Sequence, residues 1–337
     1  MLKVNSLLNT SYPRISATIA RLGLALALVS YIFAASFTDA AESRKMIVPY
    51  TPLTGAASPF WIAIEGRLFQ KYGLEVTPVF VPGSSTIVAA MASGQFEIAA
   101  VGGGAVVLSR FSGGDLITIG AQTGVYTNDC FAKPEIKSVR ALKGKTVGVT
   151  RFGTSTHFAA LSMLRAAGLK PTDVVFVQLG SASEREAALS SGRVDATILG
   201  YPGGELALKR GYRQLTDLAK SEDGAFPTTA IAARESWLKD PKNRELTLNF
   251  LRAFSDGLLL AKTDSAITKK VLRKYTKVDD DAVLQSTFEY YRKYFGDSLR
   301  VTERSYANLL QLLDHPKAKD ADPKQFFTNN LLEQIRR

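Results

Sequence analysis

At 337 residues the chain is long enough for two domains of ordinary size, and its 46% hydrophobic, 22% charged composition excludes both a disordered chain and a polytopic membrane protein. The net charge of +11 is spread along the sequence rather than clustered with aromatics, which argues against nucleic acid and fits attraction of small anions. Cys130 is the single cysteine, so no intrachain disulfide can form; in Asp129-Cys130-Phe131-Ala132 it reads as a small buried hydrophobe.

Lys3, Arg14 and Arg21 precede an apolar run from Leu22 to Phe37 and the small-residue stretch Thr38-Asp39-Ala40-Ala41. That order describes a secretory signal peptide over residues 1–41, cut near Ala40 or Ala41, and the run is short for a span of about 20 residues. The expected location is the periplasm. Next, Met46–Tyr50 reads as a strand and Pro59 opens a helix in which Phe60, Ile64, Leu68 and Tyr72 form one apolar face closed by Gly73. Leu74–Val81 is a second strand, 82–86 a loop, Ile87–Ala92 a helix and Phe96–Val101 a third strand, ending in Gly102-Gly103-Gly104 and a further helix. Leu116–Val125 and Asp129–Ala132 read as strands leaving this unit.

The pattern then repeats. Residues 89–102 (AAMASGQFEIAAVG) are echoed by 187–200 (AALSSGRVDATILG), and Gly73-Leu74 by Gly168-Leu169. Each copy reads as strand, helix, strand, helix, strand, which indicates parallel sheets with right-handed crossovers. The second copy has helices at Thr154–Ala167 and Ser183–Ser190, and 226–233 is a strand returning to the first unit. From Arg234 the chain reads as helical, with Leu246, Phe250, Phe254 and Leu258 as one stripe. Two α/β lobes facing across a cleft follow: residues 42–123 plus 230–337, and residues 124–229.

In such sheets ligands bind beyond the carboxyl ends of the strands, where helix N-termini present unpaired N–H groups. The loops there are polar and glycine-rich. Ser84-Ser85-Thr86 and Thr154-Ser155-Thr156 add hydroxyls at two helix starts, enough to hold a small anion without any buried cationic side chain, or simply to cap their own helices. Arg151 is a candidate grip on an oxyanion or a solvated edge residue. His157, in the first turn of the same helix, is a donor to an anion or a packing histidine. Tyr201 and Phe60 are candidates to cover a ligand, with packing the alternative. Neither a G-x-G-x-x-G, a Walker lysine, an HExxH nor a G-x-S-x-G pattern occurs, so no cofactor, metal or catalytic residue is expected. Glu97 and Asp195, matched acids at strand starts, read as structural.

The leader, the Pro59-Phe60-Trp61 helix start, Gly73-Leu74 with its strand, the 89–101 segment and Leu142-Lys143-Gly144-Lys145-Thr146-Val147-Gly148-Val149 resemble one family. It is the nitrate/sulfonate/taurine-type (NMT1/THI5-like) substrate-binding proteins of ABC importers; the resemblance covers residues 45–235 and the helical tail in outline. It implies a type II periplasmic binding protein, two lobes closing on one small molecule like a Venus flytrap, then docking to a membrane permease and its ATPase. The membrane is then reached only through the permease, and a monomer is expected. By the same resemblance the ligand contacts carry over to Ser58, Ser84–Thr86, Gly103, Gly104, Thr154–Thr156 and Tyr201. Where the family often has a polar or acidic residue after the third strand, this chain has three glycines and Ala105. With no acid to meet an amine, the ligand expected is a simple organic anion of the sulfonate, nitrate or carboxylate class. The cysteine-rich motif of the eukaryotic pyrimidine synthases is absent. An enzyme of the same fold, such as a lyase or dehydratase, and a ligand sensor are the competing classes.

Overall fold

The computed structural model describes residues 43–335. The expected leader, residues 1–41, lies outside them. Among the described residues the strands are β1 (Arg44–Tyr50), β2 (Leu74–Phe80), β3 (Ile98–Val101), β4 (Leu116–Val125), β5 (Asn128–Ala132), β6 (Thr146–Val149), β7 (Val175–Gln178), β8 (Ala196–Gly200), β9 (Arg213–Gln214) and β10 (Ala225–Arg234). They form two five-stranded sheets, ordered β2-β1-β3-β10-β4 and β7-β6-β8-β5-β9. The two orders match position for position, which gives the sequence echo its physical meaning. In each sheet four strands run one way and the fifth, β10 or β5, is antiparallel to both neighbours. The reversed strand is the one the chain enters on crossing from the other sheet. The sheets are therefore mixed, with a mostly parallel majority.

Helices follow the strands as the hydrophobic periods dictate: α1 (Ser58–Glu65), α2 (Ser84–Ala92), α3 (Gly103–Phe111), α4 (Ser155–Ala166), α5 (Ala182–Ser190) and α6 (Gly203–Lys209). The tail adds α7 (Pro241–Thr263), α8 (Ser265–Thr276), α9 (Asp281–Tyr294) and α10 (Glu303–Leu312). The stripe on α7 buries Phe250, Phe254 and Leu258, and Phe254 stacks on Phe60 of α1 at 5.7 Å. Burial of such side chains contributes about 1.5–3 kcal/mol each, which fixes the tail onto the first sheet.

One predicted helix is interrupted. The apolar face from Phe60 to Tyr72 is carried by α1 and a separate turn, Leu68–Lys71, because the chain leaves the helix at Gly66 and Arg67 adopts φ 55°. Glycine makes the break cheap, as it has no side chain to pack and little helix preference. The second helix of the first unit starts earlier than expected, at Ser84, so Ser84-Ser85-Thr86 is a first helical turn and not a loop.

The two crossings, Tyr126-Thr127 and the segment before β10, run side by side: the Tyr126 N–H donates to Gly224 O at 2.9 Å, and the Tyr126 ring stacks at 4.3 Å on Phe226 at the start of β10. Cys130, on β5 next to this pair, is fully buried. No helix among the described residues is long and apolar enough to cross a membrane.

Candidate ligand-binding site

A cavity of about 50 Å³ lies between the carboxyl ends of the two sheets. Ser84, Thr228 and the 51–54 loop wall it from the first sheet, Thr150, the Thr154–Thr156 turn, Arg185 and Asn128 at the start of β5 from the second, and Thr127 from a crossing. Hydroxyl and amide side chains dominate. No carboxylate lines it among the described residues, and Arg185 is its one cationic side chain.

Arg185 was not anticipated, and it overturns the expectation of a site without a buried cation. A capping box starts α5: Ser181 Oγ accepts the Glu184 N–H at 3.2 Å and the Glu184 carboxylate accepts the Ser181 N–H at 2.6 Å. That fixed first turn aims Arg185 inward, where only 4% of its surface is exposed. Its Nε donates to Ile198 O at 3.0 Å, and Nη1 donates to Thr150 Oγ1 and Gly180 O, both at 2.6 Å. All three acceptors are neutral. Among the described residues no carboxylate pairs with the guanidinium and Nη2 has no acceptor. Burial pulls its pKa down to about 10, which leaves it charged at neutral pH. A desolvated, unpaired cation costs several kcal/mol, so the site is electrostatically complementary to an anion. Little in the sequence marks it, because Ser183-Glu184-Arg185-Glu186 has the polar character of a solvated helix face. A capping serine followed by an arginine at the helix end facing the cleft is the feature that could have found it.

The second electropositive element is the start of α4. Thr154 stands at its N-cap but makes no capping bond; its hydroxyl donates to Arg151 O at 2.7 Å. The N–H groups of Ser155 and Thr156 are thus left without a backbone acceptor at the positive end of the helix dipole. The hydroxyls are committed elsewhere: Thr156 Oγ1 accepts the Thr150 N–H at 2.9 Å and turns its own proton to Thr154 Oγ1 at 3.1 Å, and Ser155 Oγ donates to Thr228 O at 2.8 Å across the cleft. Here it is backbone, not hydroxyl, that remains to donate. Ser84 lines the cavity too, with its Oγ accepting the Gly102 N–H at 2.9 Å.

The remaining candidates do not line the cavity. Ser85 is half-buried and Thr86 exposed on the far side of the α2 turn. Ser58 is fully buried, donating to Gly55 O at 2.8 Å, and Phe60 is core. Gly103 and Gly104 are there for close packing: a Cβ on Gly104 would fall 2.3 Å from Phe158 Cε2, and one on Gly103 2.6 Å from Pro227 Cγ. Gly102 meets Ser155 Oγ in the same way, so the triple glycine lets α3 and α4 approach across the two sheets. Tyr201 stacks on Tyr290 at 4.1 Å and joins the sheets beside the cavity. Arg151 is exposed and lies along Gly83 at the cavity edge. His157 faces away from the cavity, its Nδ1 accepting the Gly153 N–H at 3.3 Å, and burial holds its pKa at about 4. Asp195 is structural: burial alone would raise its pKa, but bonds from Lys133 and Thr146 bring it to about 2.

Two mixed α/β sheets closing over a small, carboxylate-free, cationic cavity define a periplasmic-binding-protein fold. The chain belongs to the NMT1/THI5-like family, whose model matches residues 56–265. A binding protein of Brucella abortus strain 2308 is 29% identical over 188 residues, 54% of this chain and 56% of that protein, so the chain spans little more than half of that relative's length. A protein of Escherichia coli K12 named for binding aliphatic sulfonates is 26% identical over 257 residues, 74% of this chain and 77% of its own. The solved periplasmic nitrate-binding protein NrtA of Synechocystis PCC 6803 shares the fold at a TM-score of 0.69 and 16% identity, covering 87% of this chain and 88% of that one.

Proposed function

We propose that the protein is the periplasmic substrate-binding component of an ABC importer, capturing one small anion between its two sheets and presenting it to a membrane permease coupled to an ATPase. The observation that carries this reading is Arg185, buried, charged and without a carboxylate partner, beside the uncapped N-terminus of α4. The two lobes are residues 42–123 plus 230–337 and residues 124–229, moving as halves of a monomer about the paired crossings. Family membership and the sulfonate- and nitrate-binding relatives support the same class. Binding without catalysis is the reading, since among the described residues the cavity is lined by neither histidine nor cysteine, the usual general base and thiol nucleophile.

The size and lining narrow the ligand. About 50 Å³ offers roughly four water-sized positions, on the measure by which one water needs about 10–15 Å³. Nitrate, formate or methanesulfonate fits that space, whereas an ammonium group of the taurine kind would find no counter-ion. A thermal-shift and calorimetric screen of nitrate, short sulfonates, short carboxylates and taurine tests the proposal. A bound anion at 100 times its dissociation constant should stabilise the protein by about 2.7 kcal/mol. Arg185→Met should abolish that shift, the loss being on the order of a hundredfold in affinity, since hydrogen bonds to a charged group contribute about 1.5–3 kcal/mol each. Anion binding undiminished in Arg185→Met would remove the basis of the reading.

A further inference from the structure

On the other flank of α4 lies a larger hollow, of about 610 Å³, that shares no lining residue with the anion cavity. Pockets for small organic molecules typically enclose roughly 300–1,000 Å³ with apolar walls and a few polar groups. The walls here are mostly apolar, with Arg165, Gln311 and Asp314 as polar edges. Leu108, Leu312 and Leu313 come from α3 and the end of α10, on the side of the first sheet. Phe152, Leu161 and Phe176 come from α4 and the strands and loops of the second. Phe152 is 49% exposed, an uncommon state for a large aromatic that has a hollow beside it.

Inside the hollow is an aromatic corner with one donor. His157 meets Phe152 edge-to-face at 5.1 Å and Phe176 at 5.2 Å. Because Nδ1 accepts the Gly153 N–H, the neutral ring carries its proton on Nε2, which has no acceptor among the described residues. Burial keeps the ring neutral at physiological pH, so this donor survives in place of an imidazolium. Lys170, at the rim, makes no ion pair among the described residues.

We infer that this hollow is a second binding site, for a small aromatic molecule carrying one hydrogen-bond acceptor, and that its occupancy is coupled to the anion cavity. The ring stacks in the Phe152–His157–Phe176 corner and the acceptor takes the Nε2–H of His157. The coupling follows from position. The walls belong to both halves of the molecule, and they meet where a Cβ on Gly153 would come within 2.9 Å of Leu108 Cδ1. A molecule that touches both walls binds best when the halves are together, which is the arrangement that also encloses an anion.

The test uses 6-propionyl-2-dimethylaminonaphthalene, a neutral fluorophore with a single ketone acceptor and no acidic group to compete for Arg185. Titrated into the purified protein without any anion, it should show one saturable, blue-shifted site per chain. Phe152→Ala and Leu313→Asp should each weaken it at least tenfold, and His157→Phe, which keeps a ring but removes the donor, about two- to tenfold. Phe152 is half-exposed, so its alanine variant tests the site without endangering the fold. Arg185→Met should leave this titration unchanged, which separates the second site from the anion reading. Saturating nitrate should tighten the fluorophore by the same factor by which the fluorophore tightens nitrate. Non-saturable binding, or binding indifferent to both Phe152→Ala and Leu313→Asp, overturns the site. An affinity unmoved by nitrate, in protein that binds nitrate by calorimetry, overturns the coupling.

Discussion

Arg185 and Asp129 are both buried ionisable side chains, but the protein treats them differently. Arg185 keeps its charge because its fork is satisfied on one side by neutral oxygens and left open on the other. Lysine cannot reproduce that division: Arg185→Lys keeps the charge but loses the planar fork, and anion affinity should fall roughly tenfold or more. Isothermal calorimetry reads this directly, and an affinity equal to the parent's would mean the fork is not the recognition element. Asp129 has instead been pushed toward neutrality. Burial raises its carboxyl to about 6, against the opposing bonds from Leu218 N–H and the Thr216 hydroxyl. A carboxyl raised above its unfolded value near 3.9 contributes its full stability below that pH and loses it as pH rises through about 6. Asp129→Asn, which cannot ionise, should therefore hold its melting temperature between pH 4 and 6.5 while the parent's falls; parallel curves would refute the assignment. Neither burial was legible from sequence. Arg185 is flanked by glutamates and Asp129 by a crossing whose partners, Thr216 and Leu218, lie more than 80 residues away.

At the scale of elements, periodicity carried the reading a long way. The strands Leu116–Val125 and 226–233 and the tail helix that carries the Leu246–Leu258 stripe fall where apolar spacing places them, because a buried face must repeat every two or 3.6 residues. What spacing could not convey was which glycines serve backbone shape and which serve contact. Gly102-Gly103-Gly104 looked like a ligand loop, but its main task is to let α3 pack against α4. Gly104→Ala places a methyl 2.3 Å from Phe158, and such overpacking costs about 1–3 kcal/mol. Denaturant melts should show that loss for Gly104→Ala and a partial recovery when Phe158→Leu is added. Additive effects of the two changes would mean the helices do not press on each other there. The hydroxyl loops were misread for a related reason. Thr154 and Ser155 look like donors in sequence, yet the first gives its proton to Arg151 O within its own turn and the second to Thr228 O, 73 residues away, a contact that only the tertiary structure creates.

For the molecule as a whole, two seams join the sheets on either side of the anion cavity. One is polar and aromatic, with Tyr201 on Tyr290, the Gly55 N–H bonded to Tyr201 O and Lys209 paired with Asp280. The other is the α3–α4 approach. Tyr201→Ala should loosen the first seam without touching a cavity residue. All anions should then weaken by a similar factor, leaving their ranking intact, whereas a changed ranking would return Tyr201 to the ligand's surface. The lone cysteine turns the same duality into a measurable clock. Cys130 sits fully buried in the middle of β5, and the first sheet has no thiol at all. Burial also raises its pKa well above that of a free thiol, so it stays inert while β5 is covered. Alkylation of the native chain thus counts openings of one half alone. If its rate tracks global unfolding under rising denaturant, the two halves melt as a single unit. If labelling runs ahead, the second sheet opens by itself, and anything that holds the halves together, a captured anion included, should slow the clock.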